Sequence, residues 1–152
     1  MSALYFAYGS NMAAPEMEAW CPSGRCLGPA ELVDHRLELR RRSRRWGGGA
    51  ADLVRAPGES VWGVLYALPD GALADLDQKE GTPIGAYRRR QVTVLVGGRR
   101  RAAVTDEVAE KEPEELPPAP AYGELLLRAA VERGLPDEYV RGLEDRLARI
   151  RI

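Results

Sequence analysis

Strand signals fill the first two thirds of this 152-residue chain, and helical signals gather in the last third. That order limits the chain to an α+β domain: a curved, mostly antiparallel sheet or small barrel with helices laid against it. Leu4 to Tyr8 is an apolar strand that stops at Gly9, where Ser10 and Asn11 cap and open a short helix through Pro15, Glu16, Met17 and Glu18. Leu27 to Leu39 is strand material broken at Asp34-His35, with Leu37 and Leu39 alternating against Glu38 and Arg40 as in a half-buried strand. Gly47-Gly48-Gly49 is a turn, Ala50 to Val54 another strand, and Ala56-Pro57-Gly58-Glu59 a further turn. Val61 to Leu68 is almost continuously apolar, which predicts a strand covered on both faces. A helix follows from Asp70, with Leu73 and Leu76 inward and Gly81 as its stop. Tyr87 to Val96 then pairs with Arg101 to Thr105 across Gly97-Gly98. The acidic, proline-rich stretch from Glu110 to Pro120 reads as a strap without regular structure. Helices over Tyr122–Arg133 and Pro136–Arg149 close the chain, with Gly134 ending one and Pro136 at the first position of the next. No segment repeats, and the length suits one domain over residues 1–152.

Composition narrows the function. No apolar run approaches membrane-spanning length and the first residues lack a basic-then-apolar leader, so a cytoplasmic protein with no membrane partner is expected. Cys21 and Cys26 are too far apart for a two-residue zinc or thioredoxin-type spacing and read as structural thiols. His35 is the single histidine, which excludes a multi-histidine metal site; it reads as a surface or loop residue with no catalytic role. Arg36, Arg40, Arg41, Arg42, Arg44 and Arg45 crowd one segment beside Trp46, the pattern of a nucleic-acid surface. Against that stand a net charge of −1 and arginines that recur as short strand-end triplets, so no nucleic-acid partner is expected.

Two places suggest chemistry. In the Gly9-Ser10-Asn11 turn, the first N–H groups of a helix have no partner inside it and can receive a carboxylate, a phosphate or a developing oxyanion. Glu80, in Leu76-Asp77-Gln78-Lys79-Glu80-Gly81, stands at the last turn of its predicted helix. The negative end of a helix disfavours a carboxylate there, which raises its pKa and improves it as a base. Taken alone, such a glutamate is an ordinary surface residue.

Taken together, these residues form a pattern. Tyr5-Phe6-Ala7-Tyr8-Gly9-Ser10-Asn11, Val61-Trp62-Gly63-Val64, Leu76 to Gly81 with Tyr87 beyond, Pro117 to Tyr122 and Gly134 to Tyr139 occur in one order along the whole chain. In this the chain resembles the γ-glutamylcyclotransferases, a family with an AIG2-like domain. The resemblance implies a small, mostly antiparallel β-barrel flanked by helices, no metal or organic cofactor, and a small-molecule γ-glutamyl substrate handled by a monomer or homodimer. It implies that the substrate's α-amine attacks its own γ-carbonyl, releasing 5-oxoproline and an amino acid or amine. Glu80 would be the general base, Tyr5, Phe6, Ala7, Tyr8, Gly9, Ser10 and Asn11 the substrate-holding loop, and Tyr122 a pocket wall or hydrogen-bond partner. Tyr87 is a second wall or simply a strand aromatic.

The residues agree with that chemistry. The attacking amine is an ammonium until a base takes its proton, and a tethered nucleophile makes a catalytic Cys or His unnecessary. Ser10 lacks the Gly-x-Ser-x-Gly surround of a nucleophile and is expected to cap or to touch substrate. Trp62 and Tyr66 read as core, and Asp77 as a surface carboxylate or an electrostatic neighbour of Glu80. The Arg36–Trp46 and Asp106–Glu115 segments match the family least and are expected to set the leaving group. A γ-glutamyl amino acid, a γ-glutamylamine or a γ-glutamyl-protected intermediate all fit. Glutathione is not the expected substrate, because its specific enzymes open on a different motif. The non-enzymatic alternative is a binding module for a small molecule or nucleic acid.

Overall fold

In the computed structural model, which describes residues 3–74 and 86–150, five strands close into a barrel in the order β1-β3-β2-β4-β5. The strands are β1 (Ala3–Ala7), β2 (Arg25–Arg42), β3 (Gly49–Leu68), β4 (Tyr87–Val96) and β5 (Arg99–Val108). Their pairing is antiparallel except where β1 meets β5 in parallel at Tyr5–Val104, the contact that closes the ring. Helix α1 spans Ala14–Trp20, α2 Pro120–Glu132 and α3 Asp137–Arg149.

The apolar run of β3 is covered on both faces, as its composition requires: Val61, Val64, Leu65 and Leu68 are fully buried and Tyr66 nearly so. Helix α2 presents Tyr122, Leu126, Ala129 and Ala130, the spacing of one helical face, to this core. Helix α3 contributes Leu143 and Leu147, and carries Asp137 and Glu138 in its first turn and Arg146 and Arg149 in its last, complementary to its dipole. Among the described residues no helix is long and apolar enough to cross a membrane.

Two expected breaks lie inside continuous strands. β2 runs through Asp34-His35 and β3 through Ala56–Glu59, with His35 still opposite Arg55 and Val33 opposite Ser60. The extra residues of β3 form a bulge rather than a chain reversal. Asp34 adopts φ 60° and Gly58 φ 83°, and the Gly58 N–H donates to Asp34 Oδ1 at 3.0 Å, so the two irregularities brace each other. His35 is not a surface residue. It is buried in β2, with Nδ1 2.8 Å from the Val33 carbonyl and Nε2 2.7 Å from Arg90 Nη2. An arginine can only donate, so Nε2 accepts and Nδ1 bears the hydrogen.

The helix expected from Asp70 is present as 72–74; its remainder, with Leu76, Asp77, Glu80 and Gly81, lies outside the described residues. Pro136 is the N-cap of α3 rather than its first residue, and α2 begins at Pro120 rather than at Tyr122. The Glu110–Pro120 strap has no helix or strand before Pro120, yet its backbone is tied down. Glu112 N–H and Leu116 N–H donate to the Arg40 and Leu39 carbonyls at 2.8 and 2.9 Å, and Gly49 N–H donates to the Pro117 carbonyl at 2.9 Å.

Candidate active site

Strand β1, held between β3 and β5, delivers the chain to a tight turn. After Ala7 come Tyr8 and Gly9, then a single 3-10 turn over Ser10–Met12, closed by Met12 N–H to the Gly9 carbonyl at 3.0 Å. The expected capping by Ser10 and Asn11 side chains does not occur. Gly9 is the N-cap, neither it nor Ala13 before α1 makes a side-chain capping bond, and Pro15 occupies the start of α1. Asn11 instead turns inward, buried, and its Nδ2 donates to the Tyr5 hydroxyl at 3.2 Å. Gly9 has φ −116°, so handedness does not call for glycine; closeness does. A Cβ there would stand 3.3 Å from the Ala51 Cβ and 3.5 Å from the Tyr122 oxygen.

The walls of the turn are sequence-distant. Tyr122, 3% exposed, accepts the Ala51 N–H on its hydroxyl at 2.8 Å, with the Trp46 ring 5.6 Å from its own. Arg45 lies 5.0 Å over Trp46 and pairs with Glu16 of α1 at 2.8 Å, which joins the β2–β3 connection to the helix behind the turn. Phe6 and Tyr8 are buried beside each other, rings 6.2 Å apart; Tyr8 donates to the Asp106 carbonyl at 2.5 Å, and Thr105 Oγ1 to the Phe6 carbonyl at 2.7 Å. At the far end of the turn the Met12 carbonyl accepts from Tyr66 Oη and from Arg133 Nε, each at 3.0 Å.

Below Ala51 sits Asp52, wholly buried, with Oδ1 accepting the Val108 N–H and Oδ2 the Lys111 ammonium, both at 2.8 Å. Burial pushes its pKa up, and the two donors only partly offset that. Among the described residues no group of three His, Cys, Asp or Glu side chains converges to hold a metal ion.

The structure therefore brings together Tyr5, Gly9, Asn11 and Tyr122 from the residues that the sequence nominates, and packs Phe6, Ala7 and Tyr8 behind them. Tyr87 opens β4, half-buried, with the Arg41 guanidinium 5.8 Å over its ring. Glu80 lies outside the described residues. Sequence reasoning missed Arg133 altogether and took Tyr66 as core alone. A buried tyrosine does advertise a hydroxyl in need of a partner, but nothing in the local sequence points to that partner.

This barrel has known counterparts. The profile of the AIG2-like family matches residues 60–143. A solved γ-glutamyl cyclotransferase superposes with a TM-score of 0.90 at 32% identity, over 95% of this chain and 87% of that one. The γ-glutamylcyclotransferase of Bos taurus is 34% identical over 147 residues, 93% of this chain and 77% of the bovine one. That of Homo sapiens is 33% identical, over 94% and 78%. A small closed barrel with flanking helices, matched at this level throughout, defines an AIG2-like enzyme domain. Within that class the chain belongs to the γ-glutamylcyclotransferase family.

Proposed function

We propose that this chain cyclises a γ-glutamyl substrate to 5-oxoproline, with the Tyr8–Met12 turn as its cradle and Glu80 as its general base. The observation that carries this reading is the match to γ-glutamylcyclotransferases across 93% of the chain. Glu80 takes a proton from the α-ammonium, and the freed amine attacks the γ-carbonyl. A C–N bond forms within the substrate, the bond to the leaving amine breaks, and the proton passes to that amine as it departs. Backbone N–H groups of the turn hold the α-carboxylate or the oxyanion while the γ-glutamyl chain is kept folded. Tethering removes the need for an enzyme nucleophile and lies within the ~7–11 kcal/mol available to well-oriented intramolecular reactions.

Release of 5-oxoproline from γ-glutamyl-alanine, measured beside release from a γ-glutamyl alkylamine, tests the reading and separates the two leaving-group classes. Glu80→Gln is expected to retain the fold and to lose roughly 10²- to 10⁴-fold in kcat, the usual worth of a positioned base. Near-normal turnover by that variant would refute the role given to Glu80.

A further inference from the structure

The Met12 carbonyl lies where the 3-10 turn hands over to α1, in a residue with no exposed surface. Pro15, three positions on, has no N–H to offer it. A buried backbone carbonyl needs a donor. Here two side chains supply it, and each also binds the other. Arg133 Nη2 donates to the Tyr66 oxygen at 2.9 Å, its guanidinium carbon is 5.6 Å from the centre of the Tyr66 ring, and both residues donate to Met12 at 3.0 Å. Burial raises the Tyr66 pKa against the opposing effect of Arg133, so the phenol keeps the proton it donates.

Arg133 is the C-cap of α2, and Tyr122 lies in the first turn of the same helix. One helix thus reaches the cradle from both ends: at Gly9 through the Tyr122 hydroxyl, and at Met12 through Arg133. Between them runs the bond from Met12 N–H to the Gly9 carbonyl.

We propose that Arg133 is a positioning residue of the cyclisation, fixing through Met12 the set of the turn that receives the substrate. This rests on the function proposed above. Arg133 is only half-buried, so a small cation can reach the space its side chain would vacate.

The test measures kcat and KM for γ-glutamyl-alanine in Arg133→Gln, Arg133→Lys and Tyr66→Phe, with Arg128→Gln, an exposed charge on the same helix, as control. Arg133→Gln is expected to lose roughly ten- to a hundredfold in kcat/KM, the scale of a small misplacement of bound substrate. Lysine, which can still reach one acceptor, should fall between. Guanidinium ion at millimolar concentration should restore part of the glutamine variant's activity and leave wild type unchanged. A merely structural arginine would give no such rescue. A folded Arg133→Gln within about twofold of wild type overturns the proposal, and so does a loss that neither lysine nor guanidinium relieves. If Arg133→Gln fails to fold, Tyr66→Phe carries the test: unchanged kcat/KM in that variant overturns the proposal, and a severalfold loss supports it. A wild-type protein inactive on every γ-glutamyl substrate would sink the reading of the reaction itself, which is a distinguishable failure.

Discussion

Glu38 shows what a single residue can hide. Alternation with Leu37 and Leu39 gives it the outer face of β2, yet it is 5% exposed. Arg36 reaches its Oε2 at 2.8 Å, Arg40 its Oε1 at 2.7 Å, and Arg146 of α3 approaches to 3.6 Å. Burial by itself would raise its pKa, but the hydrogen bonds from Arg40 and Arg36 outweigh that and hold it below the ordinary 4.5. A carboxyl depressed in the fold contributes its stability in full above the unfolded value. That contribution drains away as the pH falls through the depressed value. Glu38→Gln should therefore lower stability at neutral pH by about 1.5–3 kcal/mol, the worth of hydrogen bonds to a charged group. It should also flatten the acid limb of stability against pH; urea unfolding across that range reads both, and an unchanged acid limb in the variant would contradict the assignment. The same pairing answers the arginine cluster. Arg36, Arg40 and Arg45 are engaged with carboxylates, so much of the basic patch that suggested nucleic acid is neutralised within the fold. Periodicity read the strand correctly and missed this, because it registers polarity but not which distant side chains meet it.

At the scale of elements, the strap is the piece whose form least betrays its role. Its acidic and proline-rich composition correctly denied it a helix or strand, since proline withholds the N–H that a ladder needs. What composition could not reveal is that its carbonyls and N–H groups are spent on the ends of β2 and β3. Gly49 is the contact point: a Cβ there would collide with the Leu116 carbonyl. The strap leads directly into α2, whose first turn places Tyr122 against Gly9 and Ala51. Gly49→Ala should therefore push the strap off the hairpin, costing roughly 1–3 kcal/mol as an overpacked site does, and lower kcat/KM as Tyr122 shifts with it. Thermal unfolding and the 5-oxoproline assay check the two effects; a variant with wild-type values for both would show the strap to be free to yield. The bulge at Asp34 and Gly58 teaches the converse. Turn-forming residues at Ala56–Glu59 were legible, but their use depended on β2 running alongside, a tertiary fact absent from the local sequence.

For the whole molecule, the barrel was legible in outline because strand patterns came early, helices late, and the motifs ran in family order. The assembly of the proposed cradle was only half legible. Tyr5 and Asn11 come from the opening motif, but Ala51, Tyr66, Tyr122 and Arg133 converge from β3 and α2 only once the ring has closed. A site pieced together from so many elements links ligand binding to global stability, since the unfolded chain offers no cradle. A ligand at 100 times its dissociation constant then adds about 2.7 kcal/mol. In a chain of this size that raises Tm by roughly 5–11 °C, at ~2–4 °C per kcal/mol. Glu80→Gln, expected to bind without turning over, allows the measurement at equilibrium with γ-glutamyl-alanine by differential scanning fluorimetry. The shift should grow with the logarithm of ligand concentration, and free alanine, which lacks the γ-glutamyl unit, should leave Tm unmoved. Equal shifts from both would mean that the turn does not recognise the γ-glutamyl group, and the cradle would have to be sought elsewhere on the barrel.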